Sequence, residues 1–202
     1  MLRRIVLFAL AVALAPAPGA AAEAVSSAAM APRVMGHASA PVTIEEFASF
    51  TCPHCATFHT ETLPKIKEAY LDTGKAKLVY NDYPLDALAL AASMLAHCAG
   101  SERYFGFIEV LFRGQRSWAE SDNPRQALER VARFGGISGA AFEACLDNKA
   151  LLKAIQEHAR DANARYGVAQ TPTFIINGTK ITGARPFDDF RKAIDAALAA
   201  AK

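Results

Sequence analysis

Two cysteines separated by two residues, Cys52 and Cys55, form the part of the sequence best suited to chemistry, within Phe-Thr-Cys-Pro-His-Cys-Ala. Such a pair can attach a haem, contribute to a zinc site, form a structural crosslink or act as a redox couple. Haem attachment requires His directly after the second cysteine, where this chain has Ala56. A structural zinc site requires four ligands, whereas the other cysteines, Cys98 and Cys145, lie far apart in the sequence. These spacings disfavour haem and zinc.

The position of the pair favours a redox couple over a structural crosslink. Closing so small a loop would remove little entropy from the unfolded chain. Cys52 follows an apolar strand pattern and Pro53 suits a first helical position, so Cys52 meets a helix N-terminus. There the unpaired N–H groups and the helix dipole favour a negative sulfur, and the His54 side chain can add a cationic charge or a hydrogen bond. We predict that Cys52 is the reactive thiolate, with a lowered pKa, and that Cys55 is the buried resolving thiol.

The patterns around this pair predict an α/β fold. Pro41 opens a strand pattern, which is followed by helical spacing with a kink expected at Pro64 and then by a second strand pattern. Residues 85–168 are helical in pattern throughout. Two short β runs then follow, joined by Asn177-Gly178, a pair typical of type I′ hairpin turns, and a last helix completes the chain. The predicted order is a βαβ unit, an all-helical insertion and a ββα unit.

Three segments together resemble one known family. The segments FTCPHC, VTIEEFASF and QTPTFIING are similar to those of the DsbA-like thiol:disulfide oxidoreductases, and the likeness covers most of residues 41–202. The resemblance implies a thioredoxin-like domain formed by residues 41–84 and 169–202, interrupted by the helical insertion. It also implies an enzyme that oxidises cysteines of exported proteins by thiol-disulfide exchange and is reoxidised by a quinone-linked membrane partner.

The resemblance extends to residues outside the cysteine pair. It implies that Thr171-Pro172 is a cis peptide that faces the cysteines and helps to bind the substrate backbone. It also implies a buried acid beneath the cysteines that relays protons. Glu46 matches that position, and neighbouring Glu45 is its rival because strand alternation alone does not decide between them.

The direction of electron flow is the main alternative that the sequence leaves open. The best-known oxidases of the family have Val where this chain has Thr171, and Thr is more familiar in the isomerase branch. Isomerases normally carry an N-terminal dimerisation domain, whereas here only residues 23–40 precede the first strand pattern, which favours a monomeric oxidase. A reductase or isomerase, and a non-enzymatic carrier of metal or peptide that uses the cysteines and His54, remain as alternatives.

The second cysteine pair, Cys98 and Cys145, resembles the extra pair of some alphaproteobacterial DsbA-like proteins. In an oxidising compartment an even remaining pair favours a structural disulfide. Two buried thiols, or a second redox step that tunes the first, are the alternatives.

Neither a metal nor a cofactor is predicted from the remaining residues. His59, His97 and His158 lie in helical patterns without ligand-like spacing, which favours packing or surface roles.

The N-terminal sequence is typical of an exported protein. Residues 1–22 combine a basic start, a short apolar run and small residues suited to cleavage, which predicts a signal peptide, a periplasmic location and a flexible arm at residues 23–40. The chain has 22 basic and 20 acidic residues, and loss of Arg3 and Arg4 with the signal would leave no net charge. This balance argues against nucleic acid or an anionic membrane as a partner.

Overall fold

The computed structural model describes residues 30–201, and a mixed five-stranded sheet forms its centre. The strands are β1 (Arg33–Gly36), β2 (Val42–Ala48), β3 (Ala76–Asp82), β4 (Thr173–Ile176) and β5 (Thr179–Thr182). Their order across the sheet is β1-β3-β2-β4-β5, with β2 and β3 parallel and the other neighbouring pairs antiparallel. The predicted signal peptide at residues 1–22 and the first part of the predicted arm lie outside the described residues.

Helices connect and cover this sheet. Between β2 and β3 the chain forms α1 (Pro53–Thr57), a π-helical turn (Phe58–Thr62), α2 (Leu63–Ile66) and a second π-helical turn (Lys67–Leu71). The insertion consists of α3 (Ala87–Cys98), α4 (Tyr104–Arg113), α5 (Gln115–Ala119), α6 (Pro124–Phe134), α7 (Gly139–Leu146) and α8 (Lys149–Tyr166), and α9 (Phe187–Ala200) follows β5. The predicted fold class, a thioredoxin-like fold with a helical insertion, is confirmed.

The central position of β2 explains its apolar sequence. Strands β3 and β4 pair with both edges of β2, and buried clusters pack on both of its faces. Ile44 faces the main core, and Phe47 belongs to a smaller cluster on the opposite face with Val168 and Ile175. Glu46 is the exception in this strand, because it is a carboxyl with no exposed surface.

The helical insertion is held in place by side-chain caps and by a disulfide. The side chains of Asp86, Asn123 and Asn148 accept backbone hydrogen bonds at the N-termini of α3, α6 and α8. A disulfide joins Cys98, at the end of α3, to Cys145 in α7. Cys98 is exposed and Cys145 is buried. The structure therefore contains the disulfide, and the alternative of two buried thiols is wrong.

Two local features test the sequence reasoning outside the insertion. Asn177 and Gly178 both have positive φ, at 42° and 94°, which confirms the predicted hairpin turn. Pro64 lies in the first turn of α2, directly after a π-helical turn, so its missing N–H falls where the backbone hydrogen-bond pattern already changes.

The flexible arm predicted at residues 23–40 needs correction at Arg33–Gly36. These residues form β1, an edge strand that pairs antiparallel with β3, with Arg33 opposite Tyr80. A four-residue run ending in glycine carries no clear strand pattern of its own. Its strand conformation comes from the free edge of β3, which supplies hydrogen-bond partners for its backbone.

Among residues 30–201, no helix has the length and apolar character needed to cross a lipid bilayer.

Candidate active site

The end of β2 and the start of α1 place Cys52 and Cys55 next to each other. Cys52 is the N-cap of α1 and has extended backbone angles, and Pro53 occupies the first helical position. The Cys52 carbonyl oxygen accepts hydrogen bonds from the backbone N–H groups of Cys55 and Ala56, at 3.1 and 3.2 Å. Both cysteines are free thiols in this structure. Cys52 is 6% exposed and Cys55 is 0% exposed, so Cys52 is the sulfur that another molecule can reach.

The contacts of the Cys52 sulfur stabilise its negative form. They lower the pKa of this thiol from its ordinary value of 9.0 to about 5. The largest cause is a hydrogen bond from the Cys55 thiol, and burial acts in the opposite direction. The Thr171 side chain and the backbone N–H groups of Cys55 and His54 lower the pKa further. The predicted thiolate character of Cys52 therefore has a structural basis.

Cys55 has the opposite electrostatic environment. Burial is the largest cause that raises the pKa of its thiol far above the ordinary range, followed by its hydrogen bond to Cys52 and the negative charge on that sulfur. The charge of Glu46 acts in the same direction. One sulfur of the pair therefore holds a negative charge while the other keeps its proton, which is the division of roles expected of an attacking thiol and a resolving thiol.

His54 lowers the pKa of Cys52 through its backbone N–H, whereas the sequence predicted a contribution from its imidazole. The side chain is exposed, and the group that lowers the pKa of Cys52 is the backbone N–H. A helix N-terminus leaves its first N–H groups without partners inside the helix, and this one is available to the sulfur.

Two substitutions at His54 separate these contributions. We expect His54→Pro, which removes the N–H at a position where proline is tolerated, to raise the pKa of Cys52. At pH 5 the ratio of thiolate to thiol should fall about fivefold, as the loss of one hydrogen bond predicts. His54→Ala keeps the N–H and should leave the thiol titration close to that of the unaltered protein. Ultraviolet titration of the thiolate measures the pKa of Cys52 in both variants. Equal pKa shifts in the two variants would mean that the imidazole, and not the N–H, stabilises the thiolate.

The loop before β4 faces the cysteine pair. Thr171-Pro172 is a cis peptide, as the resemblance implied, and both residues are buried. The Cys52 thiol donates to the Thr171 carbonyl oxygen at 3.4 Å. The Thr171 hydroxyl is buried and has no hydrogen-bond partner among residues 30–201, so it can donate to Cys52 when that sulfur is a thiolate. This loop therefore contacts the reactive sulfur through the Thr171 carbonyl oxygen, and the hydroxyl of the same residue is available to the thiolate.

Strand β2 brings Glu46, and not its neighbour, to the face beneath the cysteines. Glu46 has no exposed surface, and its Oε1 lies 2.9 Å from Nε2 of His59. Glu45 points to the opposite face of the sheet, where it contacts Tyr166 and lines a cavity of about 330 Å³. Of the two acids that the sequence left open, only Glu46 is close enough for its charge to act on Cys55.

Two residues that contact this region were missed at the level of sequence. His59 was predicted to have a packing or surface role, yet it is hydrogen-bonded to the buried Glu46. Gln115 reaches from the insertion, and its Nε2 donates to the carbonyl oxygens of Phe50 and Cys52 at 2.8 and 2.9 Å. A lone glutamine gives no signal in a sequence. The four-residue spacing of His59 from Cys55, one helical turn, was the available signal for the histidine.

Clusters suited to metal binding are not found in the described part of the chain, where no three His, Cys, Asp or Glu side chains converge.

A thioredoxin-like sheet, a Cys-x-x-Cys at a helix N-terminus and a cis-proline loop opposite define a dithiol-disulfide protein of the thioredoxin class. Comparison with known proteins agrees. The family model described as Thioredoxin matches residues 28–196. The crystal structure of Wolbachia pipientis alpha-DsbA1 is 32% identical and superposes with a TM-score of 0.79, covering 85% of this chain and 93% of that one. The chain belongs to the DsbA-like family of thioredoxin-fold proteins.

Two curated relatives have related names. A Rickettsia conorii protein named as a protein-disulfide oxidoreductase is 31% identical over 166 residues, which are 82% of this chain and 60% of that protein. The disulfide bond formation protein D of Bacillus subtilis is 25% identical over 170 residues, covering 82% of this chain and 76% of that protein. The chain thus spans about three fifths of the length of the Rickettsia relative.

Proposed function

We propose that the protein is a thiol:disulfide oxidoreductase that donates the Cys52–Cys55 disulfide to exported proteins containing cysteines. The observation that carries this proposal is the lowered pKa of the Cys52 thiol, about 5. Contacts that stabilise the thiolate exist only in the reduced protein, so they favour reduction of the disulfide and make it a strong oxidant. A dithiol oxidase requires a disulfide that is more readily reduced than the disulfide it forms in its substrate.

The two cysteines divide the exchange reaction between them. A substrate thiolate attacks the Cys52 sulfur, the Cys52–Cys55 bond breaks, and Cys55 takes up a proton. The second thiol of the substrate, after losing its proton, then attacks the sulfur that is bound to Cys52 and expels the Cys52 thiolate. The substrate loses two electrons and gains a disulfide, and the protein gains the two electrons as a thiolate and a thiol. The difference in exposure of Cys52 and Cys55 supports this order.

The groups around the cysteines have supporting roles in this proposal. Thr171 and Pro172 bind the substrate backbone and keep the Thr171 hydroxyl at the sulfur. Glu46 gives a proton to Cys55 and takes it back. Pro53 starts the helix whose first N–H groups, including that of His54, stabilise the thiolate.

The regions of the chain divide in a similar way. Residues 41–84 and 169–202 form the thioredoxin-like domain that carries the chemistry, and the insertion at 85–168 covers it. Gln115 supports this assignment of the insertion, because it binds two carbonyl oxygens of the active-site loop.

The cellular setting follows from the N-terminus and from the second disulfide. The signal-like pattern of residues 1–22 directs the protein to the periplasm. The Cys98–Cys145 disulfide supports an oxidising compartment. There a quinone-linked membrane partner reoxidises the cysteine pair, and the protein acts as a monomer without a cofactor.

The equilibrium reduction potential of the Cys52–Cys55 pair tests the direction of electron flow. Titration of the protein against glutathione, with Cys98 and Cys145 followed separately by alkylation, should give a value nearer to about −120 mV than to about −270 mV, the value typical of thioredoxin. A value near the thioredoxin potential would favour a reductase. Thr171 is the sequence feature that supports this alternative.

A further inference from the structure

Cys55 must exchange a proton whenever the active-site disulfide opens or closes, yet its sulfur has no access to solvent. The residue is 0% exposed. Burial, the hydrogen bond to Cys52 and the charge on that sulfur raise the pKa of its thiol. When the Cys52–Cys55 bond breaks, the leaving sulfur therefore needs a proton from within the protein. Side chains must provide the route between this sulfur and water.

Glu46 lies beneath the cysteines but is equally isolated from water. Its side chain has no exposed surface, although its charge acts on Cys55. Its Oε1 is bonded to His59 Nε2 at 2.9 Å, and its Oε2 has no hydrogen-bond partner among residues 30–201. A carboxyl group that gives its proton to a sulfur must be protonated again before the next turnover. Within the described part of the chain, its hydrogen-bonded neighbour is His59.

His59 connects this buried carboxyl with the surface. Its ring is stacked on Phe112, with 4.1 Å between the ring centroids, and this contact holds the imidazole plane in place. The side chain is 5% exposed, and it lines a surface cleft of about 420 Å³ between the helix that follows Cys55 and α4. One side of the imidazole therefore meets Glu46, while the ring also borders the cleft.

We propose that His59 is the proton gate of the active site, carrying protons between Glu46 and water in the cleft. The inference rests on the proposed exchange chemistry and adds a residue to it. Histidine suits this task because its ring has two nitrogens and exchanges protons readily near neutral pH. His59 acts on the cysteines through Glu46, so it is a positioning and relay residue.

The steps balance when a substrate dithiol reduces the active-site disulfide. A substrate thiolate attacks the Cys52 sulfur and breaks the Cys52–Cys55 bond. The His59 imidazolium gives its proton to the Glu46 carboxylate, and the leaving Cys55 sulfur takes that proton from Glu46. The neutral imidazole then takes a proton from solvent in the cleft. After the substrate disulfide forms, Cys52 remains as a thiolate and Cys55 as a thiol. Reoxidation reverses the same path and releases the proton to the cleft.

The charged groups that border the cleft beside His59 are paired with each other and exposed, whereas Glu46 is buried and hydrogen-bonded to His59. Lys67, on the cleft wall, is paired with Asp72 at 2.6 Å, and on α4 Arg113 is paired with Glu109 at 2.8 Å. All four of these groups are well exposed to solvent, which screens their charges.

Two further titratable groups lie near His59 on other elements. Tyr80, on β3, packs with its ring 6.0 Å from the imidazole, and burial raises the pKa of its hydroxyl well above the ordinary value, so it stays neutral. Cys55, one helical turn before His59, keeps its proton except while the disulfide opens or closes.

The substitution His59→Gln tests the gate, because glutamine can donate a hydrogen bond to Glu46 but cannot carry a proton. The oxidised protein is mixed rapidly with dithiothreitol, and its reduction rate is measured from pH 5 to pH 8. We expect the variant to be slower by at least about tenfold near pH 6, since a positioned proton transfer contributes about a hundredfold or more, and we expect added imidazole to restore much of the rate. His158→Gln replaces a histidine that is bonded to the neutral Asn81, and it should keep the full rate at every pH.

Glu46→Gln shows whether His59 acts through the carboxyl. This variant should be slower by about a hundredfold, should not respond to imidazole, and should become no slower when His59→Gln is added. An unchanged rate in His59→Gln, or a loss that is equal at all pH values and insensitive to imidazole, would overturn the gate.

A measurement on the unaltered protein covers the case in which His59→Gln does not fold. Reduction by dithiothreitol should be slower in deuterium oxide than in water, and imidazole should diminish the difference. The absence of a solvent isotope effect would also overturn the gate. Dithiothreitol reports the proton step whether the protein acts as an oxidase or as a reductase. A reducing potential of the Cys52–Cys55 pair would therefore refute the proposed oxidase role and leave this test valid.

Discussion

Replacing Cys98 and Cys145 together with alanine is expected to lower the free energy of unfolding by about 4 kcal/mol. The two residues are 47 positions apart, and their disulfide ties the end of α3 to α7. A crosslink across a loop of this length restricts the unfolded chain much more than the folded one, which is the main source of its stabilisation. Several insertion helices lie inside that loop, so the helical cover of the active site should lose most of this stability.

Denaturant unfolding at neutral pH measures this loss, with the Cys52–Cys55 pair oxidised in every sample. The single variant Cys98→Ala provides the control, since breaking the same bond from one side should cost about as much as the double substitution. A loss below about 1 kcal/mol would mean that the unfolded chain keeps much of its structure. Titration of the Cys52 thiol in the double variant addresses the remaining alternative. A changed pKa there would mean that the second pair tunes the first.

The reduced protein is expected to lose about 3 kcal/mol of stability relative to the oxidised protein when the pH falls from 7 to 4. The cause is Cys52, whose thiol has a pKa of about 5 in the folded protein and an ordinary value of 9.0. A lowered pKa contributes stability that is complete above the unfolded value and is lost as the pH falls through the folded value. The folded and unfolded pKa values of Cys52 differ by about four units, and pH 7 lies about two units above the folded value. Two units correspond to about 3 kcal/mol of stability at pH 7.

Unfolding of both redox forms by denaturant, at a series of pH values, measures this effect as a difference. Other titrating groups act similarly in the two forms, so the difference isolates the thiol. The variant Cys52→Ser provides the control, because its hydroxyl does not titrate and its pH profile should follow that of the oxidised protein. A difference that stayed constant from pH 7 to pH 4 would mean that the thiolate is not stabilised, and the basis for a strong oxidant would be lost.

The structure adds a contribution of His54 that the sequence did not predict. The sequence indicated the imidazole between the cysteines, because side chains are what a sequence displays. The side chain is exposed, and the backbone N–H acts on Cys52. The outcome of the comparison between His54→Pro and His54→Ala therefore bears on any residue at this position, since all but proline supply the same N–H.

Much of the protein could be predicted from sequence because the relevant rules are local. The helix start at Pro53 brings Cys52 and Cys55 together within one turn, and the hairpin at Asn177-Gly178 depends on residues that accept positive φ. The alternation between strand and helix patterns likewise indicated the α/β order. Each of these features is set by residues close together in the chain.

The tertiary structure decided the features that depend on residues distant in sequence. The register of β2 against its neighbours turns Glu46, and not Glu45, towards the cysteines. The packing of the helix after Cys55 on that strand brings His59 to Glu46, and the fold of the insertion brings Gln115 to the active-site loop. The sequence by itself thus determined the reactive pair and the order of its elements. The buried carboxyl near this pair depended on how those elements pack, which no local pattern encodes.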